Sequence, residues 1–188
     1  RALSLLLIFP ASFFLVAAYS ESTFVLLLAL ALLAAERRQW LTAAMLAALL
    51  SATRPVGIAL WPALLVIWWL NNDNYKNWRD GAALMLLPPL GLVAFSLYLW
   101  HATGDPLAWL HGQPAAARGY MFPLMLLASY TKNIITQGEL WGTHLGEMAA
   151  LLFAALLFPR LWRQNRGQAL LVLGLIVPPI FTNTLTSF

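Results

Sequence analysis

Glu21 and Arg54 are the residues of this chain whose chemistry is hardest to explain by packing. Each stands at the end of an apolar segment, Glu21 in the polar cluster Tyr19, Ser20, Glu21, Ser22, and Arg54 in the cluster Thr53, Arg54, Pro55. A carboxylate accepts hydrogen bonds from hydroxyls, and a guanidinium stays charged and can grip a phosphate through two parallel N–H donors. An ionisable side chain beside a membrane-like segment costs about 2.5–3.5 kcal/mol if drawn to the bilayer centre, which makes it a functional candidate by default. A second polar group lies in residues 101–144, which contain His101, His111 and His144 together with Asp105, Gln113 and Arg118. The histidines are not spaced at i, i+4, and none is assigned a partnering carboxylate nearby in sequence, so no metal-binding signature is present. His101 and His111 read as interfacial loop residues, and Asp105, in Gly-Asp-Pro, also reads as a plain turn residue. The sequence carries neither a Gly-rich phosphate loop nor a Ser-His-Asp motif.

The elements that must position these residues are apolar. Of 188 residues, 61% are hydrophobic and 10% charged, against about 25% charged in a soluble domain. The runs do not alternate in polarity as barrel strands do, so the expected fold class is all-α, a polytopic membrane bundle treated as one domain. About seven segments are expected. Leu3–Ala18 contains Pro10; Thr23–Ala35 and Leu41–Ala52 are joined by the charged turn Glu36–Gln39 into a hairpin. Val56–Leu70 starts after Pro55, and Ala82–Trp100 contains Pro88, Pro89 and Gly91, which predict a kink. Leu145–Phe158, a basic turn and Ala169–Phe181 complete the set. The stretch 101–144 is too long for a simple connection. It is read as an extracytoplasmic loop with interfacial helices, because Trp109, Tyr120, Tyr130 and Trp141 suit headgroup depth.

Seven crossings place Arg1, Arg37, Arg38, Lys76, Arg79, Arg160, Arg163 and Arg166 on one side, and Arg54, Arg118 and Lys132 on the other. The first set is then cytoplasmic, and Glu21, Arg54, the long loop and the terminal Thr182, Asn183 and Thr184 face the periplasm or lumen. The basic residues sit in short turns rather than on one face, so the net charge of +4 reads as a topology signal and not as a nucleic-acid surface. With no cysteine, disulfides and thiolate metal sites are excluded. The start at Arg1 and the end in TNTLTSF read as an internal piece of a longer protein.

The run FPASFFLVAAYSES, its spacing to SATRPVG and the later GDPLAWLHGQ resemble GPI mannosyltransferase II-like membrane glycosyltransferases and their bacterial relatives, of the GT-C class. The resemblance covers most of residues 9–120. It implies an integral, multi-pass enzyme of a bacterial inner membrane, or of the ER membrane in a eukaryote. Such an enzyme moves a sugar, mannose by resemblance, from a polyprenyl-phosphate donor to a glycan, lipid or protein acceptor. The implied chemistry is an inverting displacement in which a carboxylate takes the acceptor proton while phosphate leaves. In such families that carboxylate lies in a first outer loop, which here would precede Arg1. Arg54 is the expected phosphate partner, with Arg118 in reserve. Glu21 would bind a sugar hydroxyl or orient Arg54, with Tyr19, Ser20 and Ser22 shaping the pocket, and Asp105 and Gln113 would contact sugar or acceptor. No cofactor is identified, and a divalent metal is left open.

Three other readings stand beside this one. Glu21 and Arg54 can be an ion pair that fixes the hairpin's register. The chain can be a non-catalytic membrane subunit. A transporter is disfavoured, because the charged residues lie at segment ends and not mid-span.

Overall fold

The computed structural model describes residues 20–71, 77–115, 125, 128, 131–132 and 143–180. Among these the protein is all-α, with no strand. The helices are α1 (Glu21–Glu36), α2 (Trp40–Thr53), α3 (Leu60–Leu70), α4 (Trp78–Thr103), α5 (Ala108–Ala115), α6 (Thr143–Gln164) and α7 (Arg166–Ile180), and a 3-10 turn, Pro55–Ala59, leads into α3. Internal contacts divide the chain into two compact units, Arg1–Leu97 and Tyr98–Phe188. The expected first segment, residues 3–18, lies outside the described residues, as do Tyr19, Lys76, Arg118 and the terminal 182–184.

The hairpin expected from Glu36–Gln39 is formed by α1 and α2, and its turn has a specific physical basis. The backbone N–H of Gln39 donates to the Ala34 carbonyl at 2.9 Å, and that of Arg38 to Ala35 at 3.0 Å. These are the paired bonds of a Schellman motif, which needs its middle residue in the left-handed region. Arg38 occupies it at φ 59°. A non-glycine residue is strained there, so Arg38→Gly is expected to raise stability by up to about 1 kcal/mol, read as a higher thermal unfolding midpoint. An unchanged or lower midpoint would show that the Arg38 side chain compensates.

Alanines share the packing of the first unit with a few large side chains, Trp40, Leu50, Leu60, Leu64 and Leu84. Ala31, Ala34 and Ala35 of α1 are buried, as are Ala43, Ala44 and Ala47 of α2, while Leu26, Leu30, Leu41, Met45 and Leu49 on the same helices are exposed. The backbones can therefore approach closely. A Cβ on Gly91 of α4 would stand 1.9 Å from the Ala48 carbonyl oxygen of α2 and 2.5 Å from Ser51 Oγ. At the same crossing the buried Ser51 hydroxyl lies 2.6 Å from the Pro88 carbonyl oxygen, the nearer of its two acceptors. Pro88 and Gly91 thus meet α2, within a helix that runs from Trp78 to Thr103.

α4 is the one helix among the described residues that is long and apolar enough to cross a membrane, with 26 residues. Trp40–Thr53, Pro55–Leu70 and Arg166–Ile176 are shorter apolar helices. α4 starts earlier than hydropathy suggests, because the Asn77 side chain accepts the Arg79 N–H at 3.3 Å and caps a first turn that contains Asp80. The larger departure is at 159–168. The sequence reads this stretch as a basic turn, yet α6 continues through Pro159 to Gln164 and α7 begins at Arg166. Asn165 alone interrupts them. Its Oδ1 accepts the Gln168 N–H at 3.1 Å and so starts α7.

Candidate functional site

Arg54 is placed by its neighbour. A residue before proline is pushed out of the helical region, and Arg54 is extended at φ −149° and ψ 133°, ending α2. Pro55 then opens the 3-10 turn, where its missing N–H costs nothing. A Cβ on Gly57 would stand 2.6 Å from the Leu50 carbonyl oxygen, so glycine lets the new turn press against the end of α2. Glu21 is the first residue of α1, after Ser20, whose carbonyl accepts the Phe24 N–H at 2.9 Å.

Because α1 and α2 run antiparallel, the start of one meets the end of the other. Arg54 Nη1 donates to Glu21 Oε1 at 2.8 Å, with the two side chains 18% and 20% exposed. Both charges are also favoured by their helices, an acid at the positive end of α1 and a cation at the negative end of α2. The contact uses one carboxylate oxygen. Glu21 Oε2 is buried and has no hydrogen-bond partner among the described residues. A buried carboxylate oxygen left in this state is an acceptor waiting for a donor, such as a ligand hydroxyl or N–H. Ser22 is half-buried next to it and Ser20 is exposed.

One residue here was not marked in the sequence. Trp61, in the first turn of α3, has its indole N–H buried and without a partner among the described residues. It shares with Glu21 and Arg54 the end of the unit where α2 stops and the next helix starts. Only its position shortly after TRPVG could have singled it out, because nothing separates it by type from the other tryptophans.

The second unit forms a different cluster. Gly104, at φ 78°, ends α4 by donating to the Trp100 carbonyl at 2.9 Å. Asp105 then accepts the Leu107 N–H on Oδ1 at 2.9 Å and meets His111 Nδ1 on Oδ2 at 2.7 Å. The sequence reading gave His111 no carboxylate partner, and the structure corrects that. Pro106 turns the chain and α5 brings position 111 back over Asp105. An ionised carboxylate only accepts, so Nδ1 carries the proton in this contact and Nε2 points away from it. The His111 hydrogen bond, followed by the Leu107 N–H, holds the Asp105 carboxyl below its ordinary value of 3.8. Gln113 falls within α5, and its side chain lies outside the described residues. Among the described residues no group of three or more His, Cys, Asp or Glu could hold a metal ion.

A pH dependence follows from the lowered carboxyl. The folded value lies below the unfolded one, so the contact's contribution is complete above 3.8 and is lost as pH falls through the lower folded value. Amide exchange in α5 is expected to accelerate through that acid window in the native chain, and Asp105→Asn is expected to show fast exchange above it as well. Identical profiles for the two chains would remove the Asp105 bonds as the element that holds α5.

Comparison with protein-family models, with curated proteins and with solved structures finds no match to this chain. The functional reading therefore rests on the chemistry of the residues and on the geometry just described.

Proposed function

We propose that this chain is the membrane part of a polytopic glycosyltransferase of the GT-C type, with the Glu21–Arg54 pair as part of its donor site. In this reading a sugar, mannose by resemblance, passes from a polyprenyl-phosphate to an acceptor hydroxyl by inverting displacement at the periplasmic or lumenal face. The observation that carries the proposal is the pair itself, two charges 2.8 Å apart with one carboxylate oxygen buried and without a hydrogen-bond partner among the described residues. Arg54 would meet the charge that develops on the departing phosphate, and Glu21 Oε2 would accept a hydroxyl of the sugar.

Helix packing supports the membrane setting. Leu50, Leu60, Leu64 and Leu84 are buried, but many other leucines of the same helices face outward while alanines fill much of the helix contacts, the arrangement of helices in lipid. α4 adds exposed Met85, Leu86, Leu90, Val93 and Leu97. At 1.5 Å per residue, α1 and α2 are about 24 and 21 Å long, against a hydrocarbon core of about 30 Å. With Arg37 and Arg38 held at the cytoplasmic surface, the Glu21–Arg54 end would stop short of the opposite headgroups. A recessed site of this kind suits a donor whose phosphate joins a sugar to an isoprenoid chain.

The test is transfer of radiolabelled sugar from purified polyprenyl-phosphate donors by the intact membrane protein, offered several sugars in parallel. Transfer from a polyprenyl-phosphate sugar is the expected result. Labelled donors that all remain unchanged would overturn the proposal in favour of a non-catalytic membrane subunit.

A further inference from the structure

We propose that Arg160, Arg163 and Arg166, with Trp162, form a binding site for the headgroups of anionic phospholipids. The inference rests on the membrane reading above but concerns a different part of the chain. All three arginines are exposed at the α6–α7 junction. No Asp or Glu occurs after Glu147, so no acid in that stretch answers them. Arg166 is the first residue of α7, where the helix end repels a cation and an anion relieves the conflict.

The order of polarity along α6 selects a lipid over a free phosphate. Leu152, Phe153 and Leu156 are 62–69% exposed, and they are followed by Arg160, by Trp162, which is 41% exposed and lies 5.8 Å from the Phe158 ring, and by Arg163 and Arg166. Apolar surface giving way to an indole set among guanidinium groups is what is met on going from acyl chains into the interface and its phosphates. The single-residue break at Asn165 keeps the three guanidinium groups within one short segment. Each basic residue at such a surface strengthens anionic binding several-fold.

The protein as purified in detergent is offered equal phosphatidylglycerol and phosphatidylcholine, and retained lipid is counted by native mass spectrometry. The wild-type chain is expected to prefer phosphatidylglycerol by about tenfold or more, and the triple variant Arg160→Gln, Arg163→Gln, Arg166→Gln to lose most of that preference. Arg37→Gln with Arg38→Gln, which lowers net charge elsewhere, is expected to keep it. Equal preference in the wild-type and triple-variant chains, or equal loss in both variants, overturns the site. The membrane reading fails separately, by release of the chain from membranes in alkaline carbonate. Flotation with phosphatidylglycerol vesicles then decides the lipid proposal, since absence of flotation or no effect of the triple variant rejects it.

Discussion

Arg54→Ala is expected to lower sugar transfer by about 10²–10³-fold while the protein is still made and inserted, the scale of losing one preorganised partner of a developing charge. Arg54→Lys is expected to fall nearly as far, because an ammonium cannot reproduce the planar fork that could hold Glu21 and a phosphate oxygen together. Removing either charge also takes this ion pair away, which lowers stability by about 1–3 kcal/mol after allowance for solvent. The exchange Glu21→Arg with Arg54→Glu separates the two effects. It restores a pair, although each charge now opposes its helix end. A purely structural pair predicts that the exchanged protein regains much of both stability and transfer. The proposed role predicts recovered stability with transfer still absent, measured with the same radiolabelled donor. Full transfer by Arg54→Ala would dismiss the site.

Gly91→Ala has the second largest expected effect, and here two physical arguments give opposite signs. Helix propensity favours alanine by about 1 kcal/mol. Geometry opposes it, since the added carbon would lie 1.9 Å from a backbone oxygen, which cannot rotate aside. α2 and α4 would have to separate, breaking the Ser51 hydroxyl's contact with Pro88 and loosening the crossing. Overpacking of this kind costs about 1–3 kcal/mol and the lost hydrogen bond about 1 more, so the net expectation is a destabilisation of about 2 kcal/mol. Ser51→Ala alone is expected to lose about 1 kcal/mol. Thermal unfolding of the purified protein reads both, and a Gly91→Ala chain as stable as the wild type would mean that the crossing is looser than described.

The helical class, the hairpin and most segment ends were legible because they depend on local chemistry. Pro55 forces Arg54 out of the helix wherever the chain goes, and the Glu36–Gln39 charges interrupt an otherwise apolar run. Local reading failed at 159–168 for an equally definite reason. Three arginines and two glutamines in a row of ten look like a surface turn, but hydrophilicity does not break a helix, and the Asn165 cap lets the next helix start after one residue. The prolines at 88 and 89 read as a kink, and what no window of sequence around them contains is the contact of the Pro88 carbonyl with Ser51 of α2.

From the sequence alone came a helical, apolar chain with an acid and a guanidinium at the ends of two adjoining segments. Periodicity and proline act over a few residues, so they can set where helices begin and end. The tertiary structure decided which groups meet and which are buried: Nη1 of Arg54 on one oxygen of Glu21, Asp105 on His111, and Leu50, Leu60, Leu64 and Leu84 inside while Leu26, Leu41 and Leu49 face outward. Those pairings depend on how far the backbones approach, and that distance is set by small residues on separate helices, Ala48 and Gly91 among them, which come together only when the chain is folded.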